Sequence, residues 1–158
     1  MMMTIAAEDR VAIQHLDTPF ISDLDLHEAV TEAIGRLNIV REAGVNLQVT
    51  VQEGVVTLEG VVLTRIMRRA VLTTAATVPG VQKVIDRLYT DADIEVAVSQ
   101  ALAADPATRT AQPAIAVASH LGEVVLSGRL DHSEAARAAP AVAASVPGVR
   151  RVVNRLTT

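Results

Sequence analysis

Val78-Pro79-Gly80-Val81-Gln82-Lys83-Val84-Ile85-Asp86-Arg87-Leu88 returns 68 residues later as Val146-Pro147-Gly148-Val149-Arg150-Arg151-Val152-Val153-Asn154-Arg155-Leu156. Extended outward, residues 25–90 and 93–158 align at this offset without a gap, and 23 of the 66 pairs are identical. The identities concentrate at glycines, at the Val-Pro-Gly-Val turn and at alternating apolar positions, which build a fold. Charged and polar positions have drifted. A duplicated scaffold without a duplicated reactive constellation points to binding or assembly. Two copies of so long a period do not make a solenoid.

Within a copy, Asp25 reads as an N-cap, and Leu26, Val30, Ala33, Ile34 and Leu37 give one apolar stripe of a helix that exits at Gly44. Leu47, Val49 and Val51 alternate with polar residues, Glu53-Gly54 supplies a tight turn, and Val56 and Leu58 continue the alternation, so a hairpin follows. After Gly60 a second helix is expected over about 64–78, with Met67, Ala70, Val71, Thr74, Ala75 and Val78 inward, and Pro79-Gly80 stops it. Val81 to Leu88 forms the last strand, which a right-handed crossover makes parallel to a hairpin strand. The expected class is α+β: two αββαβ repeats, each a three-stranded mixed sheet with two helices on one face. Gly54, Gly60, Pro79 and Gly80, matched by Gly122, Gly128, Pro147 and Gly148, are its structural residues. The division is an arm at 1–24, repeat one at 25–90 and repeat two at 91–158. Repeat two departs twice: 105–113 reads as a looser connection, and Pro140 should kink or break the second helix.

Composition agrees with short strands under Ala-rich helices, since half the residues are hydrophobic while Phe20 and Tyr89 are the only aromatics. A unit of this size buries only about 60% of its unfolded surface, so each copy needs a neighbour to pack on. The absence of cysteine removes disulfides and thiolate metal sites. No apolar run approaches the roughly 20 residues of a membrane span. The net charge of −4, with no basic footprint and almost no stacking aromatics, disfavours nucleic acid. Glu8 and Asp9 stand where a secretory leader would be basic and then apolar, so the chain as written is expected in the cytoplasm. A misassigned start at Met1-Met2-Met3 would instead allow association with the envelope.

Both halves resemble BON domains, named for bacterial osmotically inducible and nodulation proteins. The resemblance rests on Gly54-Val55-Val56-Thr57-Leu58-Glu59-Gly60, the Arg-and-Ala helix, and the Val-Pro-Gly-Val turn running into Val-x-Asp/Asn-Arg-Leu. It covers about five sixths of the chain. It implies an αββαβ fold, frequent tandem pairing, no enzymatic activity, and contact with phospholipid or envelope components. Some relatives are linked to osmotic stress or bind a monovalent ion.

Arg65, Arg68 and Arg69 share the second helix of repeat one with Ile66 and Leu72. Such a helix suits an anionic bilayer or an acidic partner, or is an ordinary solvated face whose Arg stems cover the helix. Arg150, Arg151 and Arg155 mark the final strand, with Arg151 and Arg155 on one face and Arg150 on the other. They suit a phosphate head group, or protection of a sheet edge against aggregation. His15, His27, His120 and His132 show no metal spacing, and Ser127 lacks the glycine of a nucleophile elbow. No cofactor is expected. The leading reading is a non-enzymatic module that binds anionic phospholipid or a protein assembly. Its rivals are a homo-oligomer joined through the arm and the Ala135–Ala144 helix face, and a solute or ion sensor.

Overall fold

The computed structural model of the chain describes residues 21–111 and 114–158. Residues 1–20 of the arm, with their reading as a docking element, and the end of the 105–113 connection lie outside the described residues, while 21–24 of the arm belong to repeat one as the lead-in and start of its first helix. Helix α1 (Asp23–Gly35) is capped by Ser22, not Asp25, because the Ser22 hydroxyl accepts from Asp25 N at 3.1 Å. Asp23 and Asp25 sit in its first turn, where the helix dipole favours acids. Leu26, Val30 and Ile34 are buried, each contributing roughly 1.5–3 kcal/mol. The expected single helix to Gly44 is instead interrupted at Leu37, which is extended. A short α2 (Asn38–Ala43) follows, burying Val40 and leaving through a left-handed Gly44.

Strands β1 (Leu47–Gln52) and β2 (Val55–Val62) are antiparallel. Their turn is Glu53 (φ 51°) and Gly54 (φ 79°), and two left-handed central residues define the hairpin turn whose twist suits the strands. Helix α3 (Arg65–Thr77) is capped by Thr64 and buries Met67, Val71 and Ala75. Strand β3 (Lys83–Thr90) pairs parallel to β2. It starts two residues later than expected because Gln82 N is donated to Gly54 O at 2.9 Å and serves the turn. Repeat two follows the same course: α4 (Asp91–Ala104), β4 (Ala116–His120), β5 (Glu123–Arg129), α5 (Ser133–Ala144) and β6 (Arg151–Thr157), with sheet order β4-β5-β6. The two-residue joint expected at Asp91-Ala92 is the first turn of α4 itself, capped by Thr90.

Of the two expected departures of repeat two, the looser connection is seen as turns over 106–110 where repeat one has helix α2, whereas the break at Pro140 does not occur. The connection after α4 is tied down: buried Thr108 donates its hydroxyl to Leu102 O at 2.6 Å, and Ala107 N bonds the Asp105 carboxylate at 2.9 Å. Helix α5 runs through Pro140 unbroken. A proline there leaves the carbonyl four residues earlier, that of Ala136, without its helical donor. Asn154 on β6 supplies one, its side-chain amide reaching Ala136 O at 3.1 Å.

Each sheet carries its helices on one face. Opposite them, at the end of the first sheet, Val61 and Tyr89 are neighbours across β2 and β3, and repeat two covers them. Val61 joins the core of repeat two. The Tyr89 ring lies on Gly148, where an added Cβ would stand 2.9 Å from the ring. Ile21 occupies the same place on Gly80 of repeat one. The equivalent end of the second sheet carries Arg129 and Thr157, both exposed. The repeats therefore meet head to tail through one apolar junction.

Candidate functional site

The basic start of α3 is built by its cap. Thr64 turns the chain so that Arg65, Ile66 and Arg69 project from the first turns while Met67 and Val71 point inward. Arg65 is 84% exposed and reaches only within 3.9 Å of Asp93 on α4. Ile66 is 76% exposed, the most exposed large apolar side chain described. Arg69 is also exposed. The other two expected members are engaged elsewhere. Arg68 Nε and Nη2 both donate to Asp86 Oδ2, the former at 3.0 Å, while Asp86 Oδ1 accepts from Leu88 N at 2.9 Å. Leu72 packs against the core of repeat one. The hydrogen bonds that Arg68 donates to Asp86 raise the Arg68 pKa, burial opposes this, and the charges of Asp86 and Asp93 add to it. A cation with a raised pKa stabilises the fold below its unfolded value and loses that contribution only as pH rises through the folded one. For an arginine this window lies in strong alkali, so Arg68 is charged throughout the physiological range.

The three arginines of the last strand separate. Arg151 and Arg155 lie on the outer face of the second sheet, in register with Glu123 and Ser127, and Arg151 approaches Glu123 at 3.6 Å. Arg129, which sequence reasoning missed, shares that face by alternation along β5. Arg150 precedes β6, so strand alternation does not assign its face. Its stem covers Gly122, its Nη1 stands 3.5 Å from Leu121 O, and it borders a groove of about 350 Å³ with Asn46, Leu47, Gln48, Glu59 and Gly60 of repeat one. Among the described residues no helix is long and apolar enough to cross a membrane.

Sequence reasoning also missed a pair of aspartates that lock the hairpins. Asp91 accepts from Leu121 N (2.8 Å), Gly122 N (3.1 Å) and Ser119 Oγ (2.8 Å). Asp23 accepts from Glu53 N (2.9 Å) and Gly54 N (3.2 Å) in repeat one. The signal was available: continuing the alignment three residues ahead of 25 pairs Asp23 with Asp91, and Ser22 with the second cap, Thr90.

Two αββαβ units joined head to tail, each with a helical layer over one sheet face, define a tandem of small α+β domains. The BON domain model matches residues 22–89 and again 90–158. The chain belongs to the BON domain family, twice over. Among curated proteins none matches the chain. Two solved structures align with 15% identity: one from studies of CdsD, a structural protein of the type III secretion system of Chlamydia trachomatis, and one of the C-terminal domain of CdsD. The first covers 84% of this chain and 91% of its own with a TM-score of 0.38; the second covers 87% and 98% with a TM-score of 0.36. Likeness at that level carries no functional argument.

Proposed function

We propose that the chain is a non-enzymatic interaction module of bacterial envelope or stress biology that docks on anionic phospholipid through the start of α3. The observation that carries this reading is Ile66, three-quarters exposed between two exposed arginines. An apolar side chain flanked by guanidinium groups matches the boundary between acyl chains and phosphates, where burial and charge attraction act together. BON domains are generally non-catalytic, which supports a binding role. The rival assembly through Ala-rich helix faces is weakened, because Ala135, Ala139 and Ala143 are buried within repeat two.

Vesicle co-sedimentation tests the proposal. Binding should require anionic lipid and weaken between low and physiological salt. With about 1 kcal/mol per arginine near such a surface, R65Q/R69Q should lower the partition coefficient roughly 30-fold. I66S should lower it independently. Equal binding to neutral vesicles, or no effect of these substitutions, would sink the reading.

A further inference from the structure

The groove at the junction holds two opposite charges that do not pair. Glu59 comes from β2 of repeat one and Arg150 from the turn before β6, and both border the same space of about 350 Å³. Among the described residues neither has an ion-pair partner, although Arg87 stands in register with Glu59 on the next strand. Arg150 makes only the 3.5 Å approach to Leu121 O. Asn46 and Gln48 add two amide side chains, and Gln48 faces Glu59 across the hairpin.

The second repeat acts as an internal comparison. Its residues at the positions of Asn46, Gln48 and Glu59 are Ala114, Ala116 and Ser127, and the first repeat has Gln82 at the position of Arg150. The scaffold tolerates small or neutral residues at all four places. The polar set occurs only where the two repeats face each other. From this we propose that the junction groove binds a small zwitterion carrying a primary ammonium, of the free α-amino acid class. The ligand carboxylate meets Arg150, and its ammonium donates to Glu59 and to the side-chain oxygens of Gln48 and Asn46. A quaternary ammonium is excluded as the preferred ligand. It cannot donate, and its recognition relies on aromatic cages, whereas among the described residues no aromatic borders this groove. The groove is open and both charges are solvated, so affinity is on the order of millimolar.

The test is an amide NMR titration of the full chain with L-alanine, without lipid, so its outcome is independent of the membrane reading. Shifts should saturate at Gln48, Gly60 and Arg150. E59S and R150Q each install the residue that the other repeat carries at that place, which preserves the fold, and each should weaken binding about tenfold or more. Absence of shifts at those amides up to about 100 mM, a constant corresponding to barely more than 1 kcal/mol, would overturn the proposal. So would an equal response to glycine betaine or to acetate, or unchanged binding in either variant.

Discussion

The passage of α5 through Pro140 yields a sharp prediction. Ala136 O has no helical donor, and Asn154 Nδ2 supplies one at 3.1 Å while Asn154 Oδ1 accepts from Leu156 N at 3.1 Å. N154D keeps the bond from Leu156 but replaces the donor by a carboxylate that faces the carbonyl. A lost hydrogen bond with an orphaned acceptor costs about 1–3 kcal/mol, and the exposure of residue 154 favours the lower half of that range. About 1.5 kcal/mol corresponds to a Tm fall of roughly 3–6 °C in a chain of this size. The informative measurement is a double-mutant cycle by urea denaturation. In a P140L background the helix regains its own N–H, so Ala136 O is satisfied without residue 154. N154D should then cost at least about 0.5 kcal/mol less than in the parent. Equal costs in both backgrounds would refute the account of how this helix tolerates proline.

Two further predictions concern the frame that presents the site. D91A should destabilise by about 3 kcal/mol and D23A by about 1 kcal/mol in urea, because Asp91 is buried with three donors whereas Asp23 is exposed with two; equal losses would contradict the burial argument. G148V should cost about 2 kcal/mol or more, since any Cβ meets the Tyr89 ring at 2.9 Å and the backbone holds φ at 93°. Intrinsic Tyr89 fluorescence, free of tryptophan, should change with it; an unaltered spectrum and melt would show that the junction is looser than the contact implies.

The repeat, the αββαβ order and the strand pairing were legible because they rest on positions whose periodicity and turn chemistry are local. Gly54, Pro79 and Gly80 announce where the backbone must turn, and Leu58 and Val71 announce which face is inward. The misreadings arose where a distant group overrides a local rule. Pro140 is a helix breaker by itself, and only Asn154, fourteen residues on, removes the penalty. Arg68 reads as one of three equivalent surface charges until the fold brings Asp86 beneath it. Arg150 reads as a strand residue until the turn geometry places it against repeat one. Periodicity cannot report such contacts, because they depend on which elements become neighbours.

The comparison of the repeats carries more than the fold. At the equivalent positions 68, 72 and 86 repeat one has Arg, Leu and Asp, and repeat two has Ala, Pro and Asn. Each set closes its own hydrogen bonds: Arg68 to Asp86 in the first, Asn154 to Ala136 in the second. Exchanging one member alone would leave a group unpaired, so these differences are mutually dependent and belong to structure. Other differences have no such internal partner. Val61 and Tyr89 against Arg129 and Thr157, and Glu59 against Ser127, follow from which end of the sheet meets another repeat. Ile66, exposed in α3, is matched by Glu134 in α5, and neither position is constrained by its own core. Divergence that the scaffold does not require, at exposed positions, is where the two copies have separate tasks. By that criterion the first turn of α3 and the junction groove are the surfaces on which the two proposals rest, and the outer face of the second sheet ranks below them because its cations at 151 and 155 recur as Lys83 and Arg87.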